Sequence, residues 1–164
     1  MIHSTMRLRR ATANDVPAIQ TIGLLTWPAT YLPFASPNFV LANLNSWWTE
    51  EEVQRSIAED VTILACEENQ VLGMLTLGMF ESEPVIWKIY VLPAAQGKGI
   101  GRRLLNAAFE QVGDSADIRL EFVKGNERAR AFYERAGFEL DFEEDPGDGT
   151  TTVWMRRKAL NAVR

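Results

Sequence analysis

The sequence predicts an α/β protein in which a mixed sheet carries helices on its faces, a fold classed as α+β in some schemes. Three observations support this prediction. Strands and helices alternate through the middle of the 164-residue chain, hairpin patterns lie towards both ends, and an apolar strand runs through a glycine-rich turn into a helix. The strand, helix and strand between 84 and 123 imply a parallel pair with a right-handed crossover.

The first elements are marked by helix-capping signals and alternating apolar residues. Thr12 with Asp15 resembles a capping box that opens the first helix, and Thr49 with Glu52 resembles a second one. In the helix that follows Thr49, Val53 and Ile57 face inward. Strands are predicted at 6–10, 61–67 and 71–80, the last two forming a hairpin around an Asn69-Gln70 turn.

Residues 27–48 combine aromatic side chains with prolines at 28, 33 and 37. The prolines predict that regular structure breaks here, while the aromatic residues are too numerous for a simple solvated loop. Two interpretations stay open. The segment packs as a lid on the core, or it lines a substrate pocket.

The second half continues with strong local signals. The apolar spacing after Gly99 predicts a helix that begins near this residue. Gly137 suits a left-handed helix end, and residues 145–149 supply the turn of a final hairpin. The remaining elements are a strand at 84–92, a strand at 118–123, a helix at 126–136, and strands near 138–142 and 150–157.

Composition excludes several classes of protein. A net charge of −5 argues against non-specific nucleic-acid binding, and no apolar run approaches the roughly 20 residues needed to cross a bilayer. With one cysteine, Cys66, and one histidine, His3, the chain has no internal disulfide, no Ser-His-Asp triad and no typical zinc site. Cys66 is expected to be a buried small hydrophobe. We expect a single cytoplasmic domain over residues 1–164, without a metal.

The segment 89–103 joins an apolar strand, a proline-marked turn and a glycine-rich helix start. Helix starts expose unpaired N–H groups and a partial positive charge, and glycines let a phosphate approach the backbone. This arrangement predicts a diphosphate site. It is not a P-loop, because Gly101 precedes two arginines, and the earlier elements suit a dinucleotide-binding fold poorly. A solvated basic turn is the remaining alternative.

Two further motifs follow. Gln96-x-x-Gly99-x-Gly101 precedes Asn126 and then Phe132-Tyr133-Glu134-x-x-Gly137-Phe138. In this order and at these separations, the motifs resemble the GCN5-related N-acetyltransferase (GNAT) superfamily, closely over 86–138 and loosely over about 6–158. The resemblance implies a mixed seven-stranded sheet with about four helices, splayed between its fourth and fifth strands.

The resemblance also implies a place for acetyl-CoA as cosubstrate, in the V-shaped opening between these two strands. Its pantetheine arm would pair with the fourth strand's main chain as an added strand does, and the glycine turn would wrap the pyrophosphate. Asn126 would orient CoA or cap its helix, and Lys124 is a further phosphate candidate. The implied cofactor-binding residues are Ile89, Tyr90, Val91, Gln96, Gly97, Lys98, Gly99, Ile100, Gly101, Arg102, Asn126 and Tyr133.

Acetyl transfer to an amine needs a base that frees the amine's lone pair and a proton or hydrogen bond for the departing thiolate. Tyr133 matches the family's usual acid, although a tyrosine simply packed on its helix is the alternative. Glu121 lies five residues before Asn126, where the ribosomal-protein N-terminal acetyltransferase branch carries a glutamate base. Partial burial on a strand would raise the pKa of Glu121 towards a useful value.

The chain departs from many relatives in its fourth strand. Trp87 and Lys88 stand where those relatives have an acidic residue. The base must therefore be sought elsewhere, and Glu81 and Glu83 are the rivals to Glu121.

These features predict an acyltransferase that moves the acetyl group of acetyl-CoA to a primary amine by direct attack in a ternary complex. The acceptor would be a small-molecule amine, a peptide N-terminus or a lysine, in a pocket shaped by residues 27–60. A catalytically idle acyl-CoA-binding regulatory module is the alternative, since it would share every cofactor residue. Nucleic acid and membrane are not expected partners. Dimers are common among similar proteins, so a homodimer is the assembly to test.

Overall fold

The computed structural model describes residues 5–161, so the predictions that concern His3 lie outside the described residues. Seven strands form one sheet in the order β1-β2-β3-β4-β5-β7-β6. The parallel pair is β4 with β5, and the other neighbouring pairs are antiparallel. The strands are β1 (Arg7–Arg10), β2 (Val61–Glu67), β3 (Gln70–Phe80), β4 (Glu83–Val91), β5 (Ile118–Val123), β6 (Glu139–Glu144) and β7 (Thr152–Arg157).

Helices cover both faces of this sheet. They are α1 (Val16–Tyr31), α2 (Pro37–Trp47), α3 (Glu50–Glu59), α4 (Ile100–Val112) and α5 (Glu127–Arg135). One core lies between the sheet and α4 and α5, where Leu104 and Leu105 are fully buried with Leu120. The second core lies between the opposite face and α1 to α3, and includes Trp27 and Trp48. None of the helices in residues 5–161 is long and apolar enough to cross a membrane.

The mixed sheet with a β4–β5 parallel pair confirms the predicted fold class. β5 has the predicted bounds, and most other elements begin or end within two residues of the prediction. Local chemistry explains this agreement. The Thr49 hydroxyl accepts a hydrogen bond from the Glu52 amide at 3.2 Å, as the capping pattern indicates. The predicted turn residue Gln70 belongs instead to β3. Cys66 is buried, as expected.

The prediction that prolines break regular structure between 27 and 48 holds at Pro33, in the turn between α1 and α2, and is wrong at Pro28 and Pro37. α1 runs through Pro28, and α2 begins at Pro37, which gives five α-helices within residues 5–161 rather than about four. Pro28 is tolerated because it lies in the last turn of α1, and the carbonyl it leaves unpaired belongs to Leu24 on the exposed side of the helix. Pro37 occupies the first helical turn, where a missing N–H costs nothing. The Ser36 hydroxyl caps α2.

Candidate active site

β4 and β5 form a V whose closed end lies at two residue pairs. In the described chain, these strands pair only through Val85 with Arg119 and Ile86 with Leu120. β4 then continues against β3, and β5 continues against β7, so their facing edges separate. Backbone groups on these edges have no partner strand, and an extended ligand could satisfy them. The predicted splay between the fourth and fifth strands is present.

A β-bulge lies where the two strands separate. Ile86 is opposite Leu77 and Lys88 is opposite Thr76, so Trp87 is the extra residue in β4. A bulge bends its strand and increases the local twist. The bend therefore turns the remainder of β4 away from β5 immediately after their last pair.

The glycine turn meets the open side of this V. Gly99 is the N-cap of α4, with φ of 77°, and Gly97 has φ of 81°. Both values lie in the left-handed region that favours glycine. A Cβ at either position would meet no atom within 4 Å, so both residues border open space. Unpaired amides at the start of α4 are consequently accessible to an anion.

The V and the turn enclose a cavity of about 910 Å³, called the cleft below. Three exposed arginines line it, Arg102, Arg128 and Arg135, and none forms an ion pair within residues 5–161. Their free positive charge favours anionic groups in the cleft. The predicted site residues that line it are Ile89, Tyr90, Val91, Gln96, Gly97, Gly99, Ile100, Gly101, Arg102, Glu121, Asn126 and Tyr133.

Two predicted phosphate contacts are not among the residues that line the cleft. Lys98 is exposed outside it. The Lys124 ammonium lies 3.0 Å from the Glu143 carboxylate and forms an ion pair with it outside the cleft lining. The structure therefore brings the arginines, rather than these lysines, to the cleft.

Gln96 and Asn126 both bind their own chain. The Gln96 side-chain amide donates to the Val91 carbonyl at 3.1 Å, which ties the turn to the end of β4. The Asn126 carbonyl oxygen accepts from the Ala129 amide at 3.2 Å, so Asn126 caps α5. Of the two uses expected for Asn126, capping is the one seen here. Both side chains shape the cleft through the turns they hold.

Tyr133 lies on α5 with its ring in the core. The ring packs against Phe122, Phe132 and Phe138 at centroid distances of 5.9, 5.5 and 6.0 Å. Burial raises the pKa of the Tyr133 phenol well above its ordinary value. No side chain in the described part of the protein hydrogen-bonds its hydroxyl. Tyr133 thus carries a neutral phenol and belongs to the lining of the cleft.

Glu121 projects from β5 into the same cleft. Its side chain is reached by solvent, although the surrounding walls remove much of its hydration. This loss of hydration raises the pKa of Glu121, and the negative charge of Glu144 raises it further. A carboxylate with a raised pKa is a better proton acceptor near neutral pH.

The rival carboxylates are not in the cleft lining. Glu83 lies 2.6 Å from the Arg156 guanidinium and 3.5 Å from that of Arg119, at the closed end of the V. Glu81 lies in the β3–β4 turn, with φ of 50°. Of Glu81, Glu83 and Glu121, Glu121 is the one that lines the cleft with Tyr133, and Glu127 at the start of α5 lines it as well.

The end of α1 and the turn after it form one wall of the cleft, a lining role that the sequence analysis left open for residues 27–48. Tyr31, near the end of α1, and Phe34, just beyond it, both line the cavity. The Phe34 ring lies close to Gly125, in the turn that follows β5. Burial raises the pKa of Tyr31. Other aromatic residues of this segment, including Trp27 and Phe39, belong to the core, so the segment both packs on the core and lines the cleft. The high aromatic content of residues 27–48 is the sequence feature that indicates this wall.

Comparison with known proteins agrees with this geometry. The sequence model of the acetyltransferase (GNAT) family matches residues 23–138. The chain belongs to the GNAT family. This membership confirms the prediction of an acetyl-CoA-dependent N-acetyltransferase. A probable N-acetyltransferase of Mycobacterium tuberculosis is 29% identical, covering 96% of this chain and 90% of its own length. An uncharacterized N-acetyltransferase of Bacillus subtilis is 33% identical over 51% of this GNAT chain and 61% of its own.

Solved structures share the GNAT fold at low identity. The PaiA N-acetyltransferase of Thermoplasma acidophilum in complex with coenzyme A has a TM-score of 0.80 and 17% identity, covering 94% of this chain and 99% of its own. The ribosomal-protein-S18-alanine N-acetyltransferase of Escherichia coli has a TM-score of 0.74 and 18% identity, covering 96% of both chains. These likenesses concern the fold.

Proposed function

We propose that this GNAT protein transfers the acetyl group of acetyl-CoA directly to a primary amine in a ternary complex, with Glu121 as base and Tyr133 as acid. The observation that carries the proposal is that both side chains line one cleft with the glycine turn at the start of α4. A proton acceptor, a proton donor and an anion site are the parts that such a transfer requires.

The cleft is suited to acetyl-CoA in three respects. The separated edges of β4 and β5 leave backbone groups for the pantetheine arm, with Ile89, Tyr90 and Val91 as its neighbours. The amides that follow Gly97 and Gly99 suit the pyrophosphate, and Arg102 adds charge beside them. The cosubstrate supplies an acetyl thioester whose sulfur departs as a thiolate.

Glu121 and Tyr133 divide the proton movements between them. Glu121 accepts a proton from the acceptor's ammonium, directly or through water, which frees the nitrogen lone pair. Tyr133 donates a hydrogen bond or a proton to the departing sulfur. Because burial raises its pKa, Tyr133 holds its proton throughout the physiological pH range. Neither residue needs a covalent intermediate, and buried Cys66 lies outside the cleft lining.

The acceptor enters beside Glu121 in this proposal, with Tyr31 and Phe34 forming the adjacent wall. A small amine, a peptide N-terminus and a lysine side chain each present the required nitrogen. The fold neighbour that acts on the alanine of ribosomal protein S18 makes the peptide N-terminus a natural first test. The charge-neutral aromatic wall suits the carbon atoms next to the amine.

An acceptor screen tests this function. Purified protein and acetyl-CoA are incubated with polyamines, aminoglycosides, amino acids, lysine peptides and peptides with free N-termini, and released CoA thiol is measured. Amine-dependent thiol release with an acetylated product is expected. Tight CoA binding without release across the panel would favour the idle regulatory module instead.

The anion site has its own test. Gly99→Trp places a bulky side chain beside the turn, at a position where a Cβ meets no atom within 4 Å, and should abolish CoA binding in calorimetry. Gly147→Trp is a matched control, because Gly147 has φ of 82° and open space in the β6–β7 turn. Thermal melts of both variants measure the shared backbone strain. Equal CoA affinity in the two variants would exclude the pyrophosphate assignment.

A further inference from the structure

Trp154 of β7 is clamped next to Glu121. It is the cross-strand neighbour of Glu121 on β5 and of Phe142 on β6. The Trp154 ring stacks on the rings of Phe80 and Phe142, with centroid distances of 6.1 and 5.9 Å and interplanar angles of 18° and 16°. The Arg119 guanidinium lies 5.1 Å from the ring. These contacts fix the orientation of the indole.

The fixed indole in turn holds Glu144. Its Nε1–H donates to Glu144 Oε1 at 2.8 Å, across the β6–β7 pair. Glu144 forms no ion pair within residues 5–161, whereas its neighbour Glu143 pairs with Lys124. Adjacent strand residues point to opposite faces, so these two glutamates face different surroundings. Glu144 is therefore an uncompensated negative charge held near Glu121.

Apart from Glu127 and the three arginines of the cleft lining that form no ion pair within residues 5–161, the groups around Glu121 are neutral or already paired. Of all these charges, that of Glu144 is the one that shifts the pKa of Glu121. Burial raises the pKa of the phenols of Tyr31, Tyr90 and Tyr133, which keeps these side chains uncharged. The guanidinium groups of Arg119 and Arg156 both pair with Glu83. Loss of hydration makes the larger contribution to the raised pKa of Glu121, and the negative charge of Glu144 makes the smaller one. The titratable or charged groups on the surrounding elements are Tyr31 of α1, Tyr90 of β4, Arg102 of α4, Arg119 of β5, Glu127, Arg128, Tyr133 and Arg135 of α5, Glu144 of β6 and Arg156 of β7.

We propose that Glu144, held by the Trp154 indole, is a positioning residue for acetyl transfer that makes Glu121 a stronger proton acceptor. This inference rests on the proposed function, in which Glu121 is the base. In the step concerned, an N–H bond of the acceptor's ammonium breaks and an O–H bond forms on Glu121. Glu144 touches neither the acceptor nor the cosubstrate, and it acts through its charge.

The test compares three variants of the full chain. Glu144→Gln removes the charge and keeps the shape, and Trp154→Phe removes the N–H donor and keeps a stacked ring. Glu143→Gln is the matched control, since it removes the neighbouring charge from the opposite face. The first readout is the titration of the Glu121 carboxyl carbon by NMR, assigned with Glu121→Gln. The second is the pH dependence of kcat/KM with the best acceptor.

Glu144→Gln should lower the Glu121 pKa by about half a unit, a size expected for one screened like charge. The acidic limb of kcat/KM should move to lower pH by the same amount, because Glu121 then loses its proton earlier. Trp154→Phe should shift the titration in the same direction, and Glu143→Gln should leave it in place. A purely structural role for Glu144 would lower activity without moving either curve.

The outcomes separate this inference from the function on which it rests. If wild-type protein turns over but Glu144→Gln leaves the Glu121 titration unchanged, the role of Glu144 is overturned and acetyl transfer stands. If no acceptor supports turnover, the proposed function fails, and the NMR titration still decides whether Glu144 acts on Glu121. Should Glu144→Gln not fold, Trp154→Phe gives a second test, because it removes the N–H that holds the Glu144 charge near Glu121. An unchanged Glu121 titration in this variant would likewise overturn the role of Glu144.

Discussion

The Phe132 ring of α5 lies directly over Gly101 in the first turn of α4. A Cβ on Gly101 would come within 3.1 Å of the ring's Cζ atom. The glycines of the turn therefore have different roles. Gly97 and Gly99 border the open cleft, whereas Gly101 lets the two helices that flank the cleft approach each other.

Gly101→Ala should destabilise the protein by about 1 kcal/mol, because overpacking against Phe132 outweighs the gain in helix propensity. Urea unfolding of Gly101→Ala, of Phe132→Leu and of the double variant measures the coupling free energy between the two positions. Leucine removes the ring, so alanine at 101 should then cost little. Additive free energies in this cycle would show that the contact is not tight.

Tyr133→Phe should lower kcat by about a hundredfold, the usual order for losing a positioned proton donor. The CoA dissociation constant should change less than about threefold, because the ring and its packing remain. Steady-state kinetics and calorimetry give the two values. Unchanged kcat would remove Tyr133 from the role of acid and leave it as a packed side chain.

Gly23→Ala should destabilise the protein by about 2 kcal/mol, although alanine is the better helix former. A Cβ on Gly23 would overlap the Trp48 ring, which is only 4% exposed and cannot move freely. Thermal or urea unfolding provides the measurement. Leu24→Ala, on the exposed side of the same helix, should stay within about 0.5 kcal/mol. A stabilised Gly23→Ala protein would mean that Trp48 repacks easily.

Asp15→Asn should cost about 1 to 2 kcal/mol at pH 7. Asp15 receives two hydrogen bonds of 2.8 Å from the Arg9 guanidinium and one of 2.7 Å from the Thr12 amide. The Arg9 contact, more than any other, lowers the pKa of Asp15 to about 2. Because the folded pKa lies below the unfolded value near 4, this stabilisation is present above about pH 4 and is lost as pH falls through 2.

Urea unfolding of wild-type protein and Asp15→Asn across this range checks the sign. The two free energies of unfolding should differ at pH 7 and converge towards pH 2. A constant difference would show that the carboxylate charge is not what stabilises the folded state.

Much of the region from β4 to α5 could be predicted from sequence because its signals are local. The apolar spacing after Gly99 places α4, and the capping side chain of Asn126 places α5 within one residue. The bounds of α1 and α2 were harder to predict from the sequence, since prolines usually end helices. Pro28 near a helix end and Pro37 at a helix start are exceptions that depend on position within the helix.

The sequence by itself determined the order of strands and helices and the glycine turn, because short-range periodicity and turn chemistry encode these features. Tyr133 and Glu121 became candidates through the resemblance of their motifs to the GNAT superfamily. Only the tertiary structure decided that β4 and β5 separate after Ile86 and that Glu83 is occupied by arginines. It also decided that Glu144 approaches Glu121 through Trp154. The physical reason is that these relationships join strands distant in sequence, and their register follows from the packing of the whole sheet.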